Sequence, residues 1–152
     1  MDLHPDFRDL LAEFARGGVR YVLIGGYAVG HYGKPRATKD LDLLVSARDD
    51  NLQRVAAALA QFGAPATVVE SARVLAPNEI VYLGIEPVRI DILRTVDGID
   101  TETAIDRAGM VELDQLAIPV ISLADLIANK RASGRAQDLA DVEQLERLHP
   151  AP

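Results

Sequence analysis

The sequence predicts an α/β (α+β) fold: a mixed central sheet flanked by helices, with a helical pair at the C-terminus. Three observations predict it. Short apolar runs of strand length occur at 21–24, 40–45, 80–83 and 88–93. Between and around them lie longer segments whose apolar residues recur every three or four positions. Glycine, proline and small polar residues fall at the junctions, and no internal repeat, low-complexity tract or linker divides the chain. The 152 residues therefore read as a single domain, 1–152, with a core over about 1–120 and C-terminal helices over about 122–148.

Taken in order, Pro5–Arg16 predicts an amphipathic helix, with Phe7, Leu10, Leu11 and Phe14 on one face and Gly17-Gly18 ending it. Tyr21–Ile24 follows as a buried strand. Gly25-Gly26 turns the chain, and a short helix is expected over 27–32. After the basic loop 33–39, Asp40–Val45 reads as a second strand. Residues 46–50 offer N-cap chemistry for a helix over about 51–62 that Gly63 closes. Thr67-Val68-Val69 reads as a strand from its β-branched run. Pro77-Asn78 marks a turn before a hairpin of 80–83 and 88–93. A short helix over 101–108 and a strand pair, 110–113 with 116–120, come next. Ser122 caps a helix from 123 to about 132, with Asp125 in its first turn, and Ser133-Gly134 separates it from a last helix over 136–148.

The chemistry concentrates in residues 21–45. A helix starting just behind a glycine turn points its first amides outward, and such a start attracts phosphate. Asp40 and Asp42 are two apart on one strand, so they share a face while Leu41 and Leu43 take the other. Two carboxylates about 7 Å apart repel by roughly 2 kcal/mol at an effective dielectric of about 20. A divalent cation such as Mg²⁺, which prefers hard oxygen ligands, removes that repulsion. Asp91 interrupts another strand-like run, flanked by Ile90 and Ile92, as a third acid. Three acids on neighbouring strands suit two metals beside the phosphates of a nucleotide. The Gly-Gly string is neither a Walker A loop nor GxGxxG.

Composition bounds the remaining classes. There is no cysteine, hence no disulfide framework and no thiolate chemistry, which fits a cytoplasmic protein. His4, His31 and His149 are scattered, against a histidine zinc site. No apolar run reaches membrane-spanning length, so no membrane partner is expected. A net charge of −7 argues against a broad nucleic-acid-coating face, but leaves room for a local basic groove around Lys34, Arg36 and Lys39 or Lys130, Arg131 and Arg135.

The joint pattern Ile24-Gly25-Gly26, Asp40-Leu41-Asp42-Leu43 and Ile90-Asp91-Ile92 resembles the signature of the DNA polymerase beta-like nucleotidyltransferase superfamily. Gly25-Gly26-Tyr27-Ala28, the segment 35–40 and the segment 129–145 are similar to short bacterial nucleotidyltransferases related to AbiEii-type toxins. The resemblance implies a minimal polymerase beta-like fold and transfer of a nucleoside monophosphate from a nucleoside triphosphate to an acceptor hydroxyl, releasing pyrophosphate. It implies Asp40, Asp42 and Asp91 as catalytic, Mg²⁺- or Mn²⁺-binding acids. Gly25, Gly26, Arg36, Thr38 and Lys130 are implied on the nucleotide. Arg36 and Thr38 also have a plain reading as a solvated loop.

Tyr27 and His31 are expected as packing and hydrogen-bonding scaffold. Asp138 is expected to orient a nearby basic residue, and Glu70, Glu79 and Asp97 read as surface or loop acids. The implied acceptor is RNA, such as a tRNA end, or a protein, with an antitoxin as possible partner. Two alternatives stand beside it: an antibiotic-modifying nucleotidyltransferase with an aminoglycoside-like acceptor, and a non-catalytic antitoxin-like binding module. An acidic pocket beside Asp91 would favour the small cationic acceptor.

Overall fold

The fold is built on one mixed sheet of six strands. In the computed structural model, residues 3–34, 40–85 and 88–151 are described. The elements are α1 (Pro5–Arg16), β1 (Tyr21–Ile24), α2 (Gly25–Tyr32), β2 (Asp40–Val45), α3 (Asp49–Phe62), α4 (Ala66–Arg73), β3 (Ile80–Leu83), β4 (Arg89–Leu93), α5 (Thr101–Asp106), β5 (Gly109–Leu113), β6 (Leu116–Val120), α6 (Leu123–Ser133) and α7 (Ala136–Leu148). The sheet order is β3-β4-β2-β1-β6-β5. Neighbours β2/β4 and β1/β6 run parallel, and β1/β2, β3/β4 and β5/β6 antiparallel.

Alternation along β2 sorts the two faces. Leu41 and Leu43 are fully buried in the core cluster with Phe7, Leu10 and Phe14 of α1 and Val55 and Leu59 of α3. Each such large apolar side chain contributes about 1.5–3 kcal/mol by leaving water. Asp40 and Asp42 take the opposite face and stay partly exposed. At the far end of β1 and β2, buried Asn51 fastens α3 to the sheet: its Oδ1 accepts from Arg20 N (2.7 Å), and its Nδ2 donates to Ser46 O (2.8 Å) and Arg20 O (3.0 Å). The core is thus anchored away from the acids.

Most predicted elements form where expected, with three differences. Residues 67–69 are helical, in α4, because Val69 and Ala72, three apart, pack as one buried face beside α3. Tertiary burial overrides the β-branched propensity there. Helix α2 begins at Gly25 itself, two residues early. Helix α3 begins at Asp49 behind Arg48, without a side-chain cap, since the Ser46 hydroxyl is engaged with Glu102 and Arg48 N instead. Ser122 caps α6 as expected, accepting from Asp125 N at 3.2 Å. No described helix is long and apolar enough to cross a membrane.

Candidate active site

Strand register brings the sequence-distant acids together. Asp42 lies opposite Ile24 on β1 and opposite Asp91 on β4, and Asp91 in turn lies opposite Tyr82 on β3. Ile24, Asp42, Asp91 and Tyr82 therefore form one row across four strands. Asp40 sits one step along, opposite Arg89. A cavity of about 680 Å³ opens over Ile24, Asp42 and Asp91, walled by Gly25 and Gly26 on one side and by Asn129, Lys130, Arg135 and Asp138 on another.

Gly25 closes the contact between turn and acid. Its φ is +70°, and a Cβ built there would fall 2.1 Å from Asp42 Oδ2. Only glycine combines that backbone conformation with that approach. No side chain caps the N-terminus of α2, whose first residues line the cavity. The start of α2 thus offers backbone amides beside the Asp42 carboxylate.

The electrostatics of Asp42 follow from its neighbours. Burial first, then the charges of Asp91 and Asp40, push its carboxyl up to about 7, with Lys130 pulling the other way and a hydrogen bond with Asp91 adding to the rise. A carboxyl pair in contact holds a proton when nothing else neutralises it. Asp91 also accepts from Arg89 Nε at 2.7 Å. Among the described residues, no three histidine or carboxylate side chains are gathered closely enough to hold a metal between them. The contact is the Asp42–Asp91 pair, with the charge of Asp40 also acting on Asp42.

The opposite wall is a saturated ion cluster. Lys130 Nζ, buried, lies 3.1 Å from Asp138 Oδ1 and 3.2 Å from Asp141 Oδ2. Arg135 Nε donates to Asp138 Oδ2 at 2.8 Å, and Gln137 Nε2 to Asp141 Oδ1 at 2.9 Å. Burial alone would raise the Asp138 carboxyl, but the Arg135 and Lys130 hydrogen bonds outweigh it and hold it below the usual carboxylate range. Asp138 is therefore the partner of Lys130 and Arg135, in line with the expectation that it orients a nearby basic residue.

Other predicted residues fall as follows. Tyr27 is buried edge-on against Phe7, with centroids 5.9 Å apart. His31 is exposed and stacks edgewise on Tyr32. Neither lines the cavity. Arg36 and Thr38 lie outside the described residues. Asp97, read from sequence as an ordinary loop acid, faces the cavity with Asn78 and Thr95. Its position just past the carboxyl end of the strand bearing Asp91 is the signal that finds it, since ligands of open α/β sheets bind beyond strand ends.

The sequence model described as nucleotidyl transferase AbiEii toxin, type IV toxin–antitoxin system, matches residues 9–152. No curated protein matches the chain at a significant level. Among solved structures, a lincosamide antibiotic adenylyltransferase bound to lincomycin is similar with a TM-score of 0.58 at 16% identity, covering 97% of this chain and 98% of that one. A nucleotidyltransferase candidate from Thermotoga maritima gives 0.58 at 17% identity, covering 93% and 87%. The antibiotic-resistance factor ANT(2'')-Ia gives 0.58 at 12% identity, covering 93% and 81%. At such identities the structures establish the fold, which is the polymerase beta-like nucleotidyltransferase fold, and the sequence match over nearly the whole length establishes the family: the chain belongs to the AbiEii nucleotidyltransferases.

Proposed function

We propose that residues 1–152 act as one cytoplasmic domain that transfers a nucleoside monophosphate from a nucleoside triphosphate to a hydroxyl of RNA, such as a tRNA end, or of a protein, in a toxin–antitoxin setting. The observation that carries this reading is the Asp42–Asp91 pair lying in one cavity with the uncapped start of α2. The cavity lining supports a divalent metal. Among its described residues, Asp40, Asp42, Asp91, Asp97 and Asp138 outnumber Lys130 and Arg135. Such a lining repels a triphosphate unless cations enter with it.

Asp42 and Asp91, with Asp40 beside them, would hold Mg²⁺ or Mn²⁺. When bound, the metal would supply charge neutralisation of the phosphates and of the developing oxyanions. Gly25 and Gly26 present backbone amides to the phosphates, and Lys130, fixed by Asp138 and Asp141, offers a positioned cation. Arg36 and Thr38 belong to the same nucleotide set. Asp91 accepts the proton of the acceptor hydroxyl. The acceptor oxygen then bonds to the α-phosphorus while the bond to the bridging oxygen breaks, and pyrophosphate leaves with that electron pair. Transfer is mostly positioning and charge stabilisation, which these groups provide.

A second reading, transfer to an antibiotic-like cationic acceptor, is favoured by one observation, the acidic lining that includes Asp97. A label-transfer assay separates them. Purified protein with Mg²⁺ or Mn²⁺ and each α-labelled nucleoside triphosphate is offered total RNA, cell protein or an antibiotic panel. Label in RNA or protein, lost in the Asp40→Ala/Asp42→Ala protein, supports the first reading. Label confined to an antibiotic supports the second, and a double variant that still transfers would overturn both.

A further inference from the structure

The row of residues across the sheet does not end at Asp91. Its next member is Tyr82, on edge strand β3. Tyr82 is 55% exposed, whereas its strand neighbours Val81 and Leu83 are buried, so its ring stands on the face that carries the acids. The Arg89 guanidinium lies 4.3 Å from the ring centroid while its Nε donates to Asp91 at 2.7 Å. Ring, guanidinium and acid are therefore one contiguous group. Arg89 keeps a third of its side chain exposed.

Direction gives the group a meaning. Gly25 and the start of α2 lie on the β1 side of Asp42, and Tyr82 lies on the other side of Asp91, beyond the carboxylate pair. If the triphosphate sits over the glycines, the acceptor approaches from β3. There Ile80 lines both the acid-bearing cavity and a second groove of about 540 Å³ between α4 and β3, and Tyr82 lines that second groove.

Resting on the function proposed above, we propose that Tyr82 and Arg89 form the acceptor platform, and that its ligand is an unpaired nucleotide at the end of an RNA strand. An exposed ring beside a guanidinium plane is the surface on which unpaired bases stack, and the arginine charge suits the adjoining phosphate. A cationic sugar would instead meet the like charge of the Arg89 guanidinium that already lies over the ring.

The chain has no tryptophan, so Tyr82→Trp places a single reporter at the platform. Titration of that variant with a short single-stranded RNA should quench its fluorescence saturably, and a nucleoside triphosphate alone should not. In transfer assays on the wild type's own acceptor, Tyr82→Ala should raise the acceptor KM about tenfold with the triphosphate KM unchanged. Tyr82→Phe should restore it, which a loss of fold would not allow. Quenching by the triphosphate but not by RNA overturns the platform while leaving the transferase reading intact. So does an unchanged acceptor KM in Tyr82→Ala. If wild type transfers to no acceptor, the transferase reading fails, and absence of RNA quenching then overturns the platform separately.

Discussion

Two clusters of charge line one cavity, and they are built on opposite principles. In the Lys130 cluster every charge has a partner: two aspartates hold one ammonium, Arg135 and Gln137 complete them, and Asp138 is held below its ordinary pKa. In the Asp42–Asp91 pair like charges meet, and Asp42 is pushed up to about 7. A protein can keep the first cluster for its fold. The second lowers stability whenever it is ionised, so its use must lie in what it binds. Perturbed carboxyls in clefts mark functional sites for this reason.

The comparison breaks most visibly in activity. Asp40→Ala/Asp42→Ala should reduce nucleotidyl transfer by about a thousandfold or more, since metal and electrostatic stabilisation are worth several kcal/mol of barrier. Circular dichroism should show the fold retained. Chelating the divalent metal from wild type should give the same loss, reversed by adding it back.

Breaking the other cluster should act on stability. Lys130→Met leaves Asp138 and Asp141 facing each other without their shared cation, and should cost about 3 kcal/mol in denaturant melts, as for other broken buried pairs. Removing one charge from the acid pair has the opposite sign. Asp42→Asn should stabilise the metal-free protein by about 1–3 kcal/mol at pH 7.

The pH dependences also run in opposite directions. Asp42 binds its proton up to about pH 7 when folded, but releases it near the ordinary value of 3.8 when unfolded. Stability should therefore fall as pH rises between those values, by at most about 1.4 kcal/mol per unit, and the slope should vanish in Asp42→Asn. Asp138 is shifted downward, so its contribution is present above its unfolded pKa and is lost as pH falls through the folded value. Melts from pH 3 to 8 on wild type and Asp42→Asn read both. The smallest effect is expected at Arg135→Ala. Its side chain is 79% exposed and Lys130 still holds Asp138 without it, so the loss should be less than about 1 kcal/mol.

Much of this was legible in the chain because the signals are local. Pro5–Arg16, Tyr21–Ile24, Asp40–Val45 and Ala136–Leu148 announce their boundaries through periodicity, glycine stops and caps. The like-facing Asp40 and Asp42 follow from strand alternation alone. Thr67-Val68-Val69 misleads because a β-branched run has no means of showing that α3 waits to bury Val69 and Ala72 as one helical face. Asp97 looks like any loop acid until the end of β4 carries it into the cavity.

Sequence alone thus determined the strand and helix pattern, the glycine turn, the three acids and the family they resemble, since each is a property of residues close together in the chain or of a motif. Tertiary structure decided the pairing of Asp42 with Asp91, the approach of Gly25 to the Asp42 carboxylate, the placing of Lys130 between two aspartates and the row that ends at Tyr82. These depend on strand order and register, which no stretch of residues carries within itself. The pKa of Asp42 is likewise a tertiary property, because burial and a neighbouring charge exist only once the sheet has formed.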